Sequence, residues 1–313
     1  MPFPIEEKLV VGVSATALFD FELEHKIFLE QGIEEYLRYQ KDRKMTTPEQ
    51  GGGYPFIRRL LSLNDLFPSQ APIEVVIMSR NHPESGLRIM EAVKAYGLPI
   101  TRAMFLAGSL PYPYMKSINA VLYLSTNADE VRKAVDSGFP AGYILPSKIH
   151  DDSSDKQLRI AFDFDGVIAD DEAEKVYAEK NDLPVYQAIE QAKRNSPLGK
   201  GPLFPLLEQI SKIQSLDKTL AKSPEQRRVR IAIVTARNAP AHERLINTLS
   251  YYEISTDELF LLGGIEKKKV LDVLKPHIYF DDQMSHLKTA SLTTPSVHIP
   301  FGIANALGGS RQF

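Results

Sequence analysis

The chain has 313 residues, 43% hydrophobic and 25% charged, which is apolar material enough for one large domain or two of ordinary size. A formal net charge of −3 gives no support for binding a nucleic acid polymer or a membrane surface, and the absence of cysteine excludes disulfides and thiolate metal sites. Met1-Pro2-Phe3-Pro4 opens directly into charged sequence, and no apolar run approaches the roughly 20 residues that span a bilayer, so a soluble cytoplasmic protein is expected.

In chain order, short β-branched runs alternate with helical stretches, and the series occurs twice. Val11–Glu22 lies over Ala161–Glu172 at an offset of 150. The same offset sets Gly51, Tyr54, Pro55 and Phe56 over Gly201, Phe204, Pro205 and Leu206, each group opening an amphipathic helix. Extra polar residues around Lys218–Arg227 then change the offset to 156. At that offset Ile73–Ser79 matches Val229–Thr235, and Val121–Ser125 matches His277–Asp281. Helices are expected over Ser85–Tyr96 and Ala241–Tyr252. A β-α-β-α-β order in each copy implies the α/β class, with parallel sheets flanked by helices. The expected division is 1–150 and 151–313, joined near His150–Asp155, a polar stretch of linker composition.

Chemistry concentrates in the second copy. Arg159–Ile168 is an apolar run ending in Asp163 and Asp165, followed by Gly166. A buried strand that carries two carboxylates to its carboxyl tip is costly unless they meet a cation or a substrate. In open α/β sheets that tip is where ligands bind. Strand alternation is expected to send Asp163 and Asp165 to one side and Phe164 to the other. One carboxylate can then attack phosphorus while its neighbour moves protons, which is phosphoryl transfer through an aspartyl-phosphate. The first copy has Val13 and Ala15 at these positions, and Ser79, Asn81, Ser125 and Thr126 opposite Thr235, Arg237, Asp281 and Asp282. Lacking the carboxylates, it is expected to be catalytically silent.

Three more strand ends carry polar residues. Arg230–Thr235 ends in a hydroxyl, followed by Ala236, Arg237 and a helix expected from about Asn238. Thr235 and the N–H groups of a helix start suit a phosphate oxygen, although Thr235 alone would read as a cap. Lys267, Lys268 and Lys269 precede a helix; such a run is mostly a solvated face, and Lys267, nearest the strand end, is the one expected to turn inward. His277–Gln283 ends in Asp281 and Asp282, ahead of a helix at Met284–Ala290. With Asp163 and Asp165 these carboxylates make an oxygen-rich set suited to Mg2+. His242, His277, His286 and His298 lack metal-ligand spacing and are expected in ordinary roles. Gly51–Gly53 is not followed by the Lys-Ser/Thr of a P-loop.

The ordered set Asp163, Asp165, Thr235, Lys267, Asp281 and Asp282 resembles the haloacid dehalogenase superfamily of phosphohydrolases. Longer segments, Ser14–Glu22, Gly32–Gln40, Pro197–Leu203, Ile233–Arg237 and Pro276–Met284, are similar to the cytosolic 5′-nucleotidase type I family, and the likeness runs through nearly the whole chain. The resemblance implies haloacid dehalogenase-like halves, a helical cap inserted at about 172–200, and Mg2+-dependent hydrolysis of nucleoside 5′-monophosphates. Members of that family read Phe-Asp-Gly-Asp-Ala-Val at the nucleophile motif, whereas Phe162–Val167 here reads Phe-Asp-Phe-Asp-Gly-Val. That departure leaves the chemistry in place and puts base preference in doubt.

On this reading Asp163 is the nucleophile and Asp165 the general acid and base. Mg2+ is expected on Asp163, the backbone carbonyl of Asp165, and Asp281. Thr235, Ala236, Arg237 and Lys267 are expected to hold phosphate, with Asp282 orienting Lys267 or a metal-bound water. The segment Glu172–Lys200 is too long for a simple loop. Tyr177, Tyr186, Lys200 and Phe204 are candidates for contacting the nucleoside, each also fitting a packing role. A phosphatase of sugar phosphates would use the same core residues, while a nucleotide sensor without turnover would not need the Asp163/Asp165 pair. Whether the first half binds a regulatory nucleotide or supports a homo-oligomer is left open by the sequence.

Overall fold

Apolar runs of β-branched residues form strands because burial on both faces of a parallel sheet removes the need for alternation. The computed structural model describes residues 3–147, 149 and 151–306, so His150, the start of the expected linker, lies outside the described residues. In chain order the elements are β1 (Leu9–Val13), α1 (Ala15–Leu18), α2 (Glu22–Asp42), α3 (Tyr54–Ser62), β2 (Ile73–Ser79), α4 (Gly86–Ala95), β3 (Arg102–Phe105), β4 (Ala120–Ser125), α5 (Ala128–Asp136) and β5 (Ala141–Ile144). There follow β6 (Leu158–Phe162), α6 (Glu172–Lys180), α7 (Leu183–Ala192), α8 (Phe204–Leu220), β7 (Val229–Thr235), α9 (His242–Tyr251), β8 (Glu258–Leu261), α10 (Lys267–Leu274), β9 (Ile278–Asp281), α11 (Met284–Ala290) and β10 (Ser296–His298).

Among the described residues the strands make one sheet in the order β3-β2-β1-β4-β5-β10-β9-β6-β7-β8. Neighbours are parallel except at the middle, where β10 meets β5 antiparallel through Val297 opposite Ile144 and His298 opposite Tyr143. The strands on either side of this seam therefore run in opposite directions, and their carboxyl ends lie at opposite edges of the sheet.

The spacing read from the sequence recurs in the elements. β2 and β7 begin at 73 and 229, α4 and α9 at 86 and 242, β3 and β8 at 102 and 258. The isolated bridges Phe19 with Gln50 and Ala169 with Lys200 repeat the smaller offset. Helices α3 and α8 each carry a proline in the first turn, where a missing N–H costs nothing, and each crosses the seam. α3 packs on β6, and α8 packs on β1 and β4. Phe56 of α3 stands edge-on to Phe280 of β9 at 6.3 Å, and both are fully buried. Each such side chain contributes about 1.5–3 kcal/mol.

The stretch expected to be a linker is an anchor. Asp151 accepts from Arg58 at 2.6 Å and also binds Arg59, whose side chain is 1% exposed. A guanidinium that deep is tolerable only when paired. Asp155 pairs with Arg159 at 2.8 Å. The extra polar residues of the second copy lengthen α8 and place Asp217, which accepts from the N–H groups of Arg228 (2.8 Å) and Val229 (3.0 Å) as β7 begins.

One helix starts later than expected. α9 begins at His242 rather than near Asn238, because Pro240 has no N–H to give and disfavours helical geometry in Ala239 before it. No helix among the described residues is long and apolar enough to cross a membrane.

Candidate active site

β6 stops at Phe162, and the chain turns at once through Gly166, whose φ is +70°. Strand alternation therefore does not govern the two aspartates, which had been expected on one side, and each meets its own cation. Asp163 turns to Lys267, with Oδ2 2.6 Å from Nζ, while its Oδ1 accepts the Phe164 N–H at 2.7 Å. Asp165 turns to Arg237, which grips it at two points, Nε to Oδ2 and Nη2 to Oδ1, both at 2.7 Å.

Lys267, at the start of α10, is buried and also lies 2.8 Å from Asp281 Oδ2. It is the inward lysine the sequence singled out; Lys268 instead pairs with Asp272 at 2.5 Å. Asp281 further accepts from the Tyr279 hydroxyl and from the Gln283 N–H at 2.7 Å, and His286 Nδ1 lies 3.1 Å from it. Burial pushes Asp163 up to about 6, with Lys267 opposing and Asp281 adding to the rise. Burial works the same way on Asp281, but Lys267 and His286 outweigh it and hold that carboxyl below the usual range. Lys267 stays protonated in spite of burial because both carboxylates flank it.

Beside this pair sit two carboxylates that are not satisfied. Among the described residues neither oxygen of Asp282 has a hydrogen-bond partner, nor does Oε2 of Glu174, and all three atoms are buried. Glu174, from α6, accepts from Gln283 Nε2 at 2.9 Å through its other oxygen. Burial, then the charges of Asp165 and Asp163, push Glu174 up to about 8. Burial and the neighbouring Glu174 and Asp281 likewise raise Asp282. A Cβ on residue 166 would fall 2.7 Å from Asp282 Oδ2, so only glycine lets the turn close over this carboxylate. Unpartnered buried carboxylate oxygens are costly, and this donor set is of the kind that suits a hard cation. Ligand atoms of Asp163, Asp281 and His286 also lie within 4.8 Å of one another. Asp281 has its oxygens engaged by Lys267, Tyr279, Gln283 and His286, whereas those of Asp282 are open. Of the two expectations for Asp282, Lys267 or a metal-bound water, the contacts of Lys267 go to Asp163 and Asp281.

The remaining expected residues are placed unevenly. Thr235 is buried, and its hydroxyl accepts the Arg237 N–H at 3.2 Å, capping a turn rather than a helix. Ala236 is exposed beside it. Beyond Asp165, Arg237 donates to Glu190 at 2.5 Å and the Ala241 carbonyl at 3.2 Å. Tyr186 stands edge-on to Tyr177 at 5.7 Å in the α6–α7 segment, and burial raises its hydroxyl. Phe204 offers no ring face to a base, because it opens α8 inward against Tyr252 at 4.8 Å and is 3% exposed. Lys200 lies over that ring at 4.2 Å and 3.8 Å from Glu208, so its partners are outside the carboxylate cluster.

Sequence reasoning missed Glu174, Glu190 and His286. His286 was set aside for want of a second histidine, yet it reaches Asp281 from the first turn of α11. Glu190 carried a usable signal, since the residue 150 positions earlier is Gln40.

A mostly parallel sheet flanked by helices, with carboxylates and a lysine gathered at its strand ends, is of the α/β class and consistent with a haloacid dehalogenase-like fold. The chain belongs to the 5′-nucleotidase family, whose model matches residues 1–306. It is similar to human cytosolic 5′-nucleotidase 1B, with 30% identity over 298 residues that cover 92% of this chain and 48% of that protein. The chain thus spans about half the length of this curated relative. Among solved structures, a chain of the Pnkp1/Rnl/Hen1 complex aligns with 95% of this chain and 97% of its own at 13% identity, with a TM-score of 0.33.

Proposed function

We propose that this chain is a Mg2+-dependent phosphomonoester hydrolase acting on nucleoside 5′-monophosphates through an aspartyl-phosphate on Asp163. One observation carries the reading: a single turn after β6 delivers two carboxylates to separate cationic partners, Asp163 to Lys267 and Asp165 to Arg237, beside unpartnered Asp282. Family membership supports the substrate class.

Asp163, the Asp165 backbone carbonyl and Asp282 would hold Mg2+, which when bound neutralises charge developing on the phosphoryl oxygens. An Asp163 oxygen forms its bond to phosphorus as the bond to the nucleoside 5′-oxygen breaks. Asp165 gives its proton to that departing oxygen. Water then attacks the phosphorus of the aspartyl-phosphate and passes a proton to Asp165, releasing phosphate and restoring Asp163. Lys267 balances charge on the transferring group, and the Thr235 turn supplies N–H groups to its oxygens. Tyr177 and Tyr186 in α6–α7 are the ring faces nearest in kind to what a base requires. The first half, with buried Val13 and Ala15 at the equivalent turn, is a catalytically silent copy.

A panel of phosphate monoesters assayed with Mg2+ and with EDTA tests this. Nucleoside 5′-monophosphates should show the highest kcat/KM, 3′-monophosphates and hexose phosphates lower values, and EDTA should abolish all turnover. Equal rates on hexose phosphates would remove the nucleotide reading, and EDTA-resistant turnover would remove the metal.

A further inference from the structure

The two copies within the chain provide an internal control on the buried charges around Asp165. In the second half Arg244 of α9 fastens the α7 segment, donating from Nε to the Ser196 carbonyl at 2.9 Å and from Nη1 to Glu190 Oε1 at 2.8 Å. In the first half Arg88 of α4 does the same, from Nε to the Thr46 carbonyl at 3.3 Å and from Nη1 to Gln40 at 2.9 Å. There the charge of Arg88 is met by Glu24, 2.6 Å from Nη1, and the contact that corresponds to Glu190 is made by a neutral amide. What the amide cannot supply is the second contact of Glu190, from Oε2 to Arg237 Nη1 at 2.5 Å. Where the first half has Gln40 for Glu190, it also has Asn81 for Arg237 and Ala15 for Asp165. The structural arginine is kept in both copies, whereas a glutamate at this position and the guanidinium of Arg237 appear only in the copy that has the acid.

We propose that Glu190 and Arg237 are positioning residues for Asp165, fixing the direction of its proton transfer and tying that direction to the seating of α7. The inference rests on the role given to Asp165 above. Arg237 fixes the plane of the Asp165 carboxylate, because a planar fork matched to both oxygens leaves one orientation. Glu190, fully buried, fixes where the fork lies. It also offsets the guanidinium charge, so the grip orients Asp165 without adding net positive charge beside it. The glutamate belongs to the segment expected to cover the leaving group, so the acid is aligned when that segment is in place.

Glu190→Gln, which installs the side chain of the first half, separates this role from simple packing. Each enzyme is assayed with Mg2+ on a nucleoside 5′-monophosphate, whose alkoxide needs a proton to leave, and on p-nitrophenyl phosphate, whose phenolate does not. For the nucleotide, kcat should fall about 10- to 100-fold with KM moving less than about 3-fold, as expected for part of a general-acid contribution. On p-nitrophenyl phosphate, kcat/KM should fall less than about 3-fold. Arg237→Lys, which keeps the charge and loses the fork, should give the same split and carries the comparison if Glu190→Gln does not fold. Equal losses of kcat/KM on both substrates, a loss carried by KM, or no loss would overturn the proposal while leaving the phosphatase reading intact. A wild-type chain inert on both substrates would remove the phosphatase reading, and this inference with it.

Discussion

Lys267 bridges Asp163 and Asp281, its ammonium 2.6 Å from one carboxylate and 2.8 Å from the other. Its ammonium offsets both carboxylates, and with Asp282 the site is rich in buried negative charge. Lys267→Met should therefore destabilise the fold by about 3–5 kcal/mol, the usual effect of removing one partner from a buried pair. Millimolar Mg2+ should recover part of the loss. Denaturant unfolding with and without the ion checks both, and a stability equal to wild type would mean that Lys267 is not the counterion.

Asp163→Asn keeps the side-chain shape and removes the oxygen nucleophile that the proposed mechanism requires. Turnover should drop at least about 100-fold, or about 2.7 kcal/mol of barrier, with the fold retained. In the same assay Ser79→Ala and Ser125→Ala should change kcat far less than Thr235→Ala. Substantial activity in Asp163→Asn would transfer the nucleophile's role elsewhere.

Gly166→Ala should show two effects at once. The residue holds φ at +70° and its new Cβ would lie 2.7 Å from Asp282 Oδ2. Backbone strain of about 1–3 kcal/mol should lower the melting temperature. Displacement of Asp282 should raise the Mg2+ concentration needed for half-maximal activity more than it raises KM. A variant that loses stability but keeps its Mg2+ requirement would take Asp282 out of the metal site.

His277 should make stability depend on pH. It is 8% exposed, its Nδ1 accepts the Arg159 N–H at 3.0 Å, and Nε2 lies 3.3 Å from Asp155. Burial, then Arg59 and Arg159, lower it from 6.5 to about 3, so the ring is neutral and the contact with Asp155 is a hydrogen bond rather than an ion pair. Below about pH 6.5 the unfolded chain takes up a proton that the folded chain refuses. Stability is thus whole above that pH and is lost as pH falls toward about 3, at up to about 1.4 kcal/mol per pH unit. Urea unfolding at pH 7, 6, 5 and 4 should show a shallower slope for His277→Gln than for wild type; identical slopes would exclude this histidine.

How much could be read in advance follows from how local each feature is. The apolar runs ending at Asp163, Thr235 and Asp281 were legible because a strand and its tip are contiguous in sequence. The inward turn of Lys267 was legible from its place next to a strand end. The grip on Asp165 was not, because Arg237 lies 72 residues away and Glu190 reaches it from a different helix. Asp281 and Asp282 look alike in sequence, and what separates them is which one meets Lys267, Tyr279 and Gln283. Phe204 beside Pro205 reads the same whether its ring faces a ligand or the core; here Tyr252 claims it.

The crossing of α3 and α8 over the seam ties the two sides of the sheet to each other. A chain trimmed to residues 151–313 would lose the helix that shields β6 and the partner strand of β10. Its exposed edge would invite pairing with other copies. Loss of the first 150 residues is therefore not a small deletion but the loss of scaffolding on which the strand ends of β6 and β9 rest. Damage to Phe56, on a helix from one side of the seam, would be felt at Phe280 on the other, one residue from Asp281.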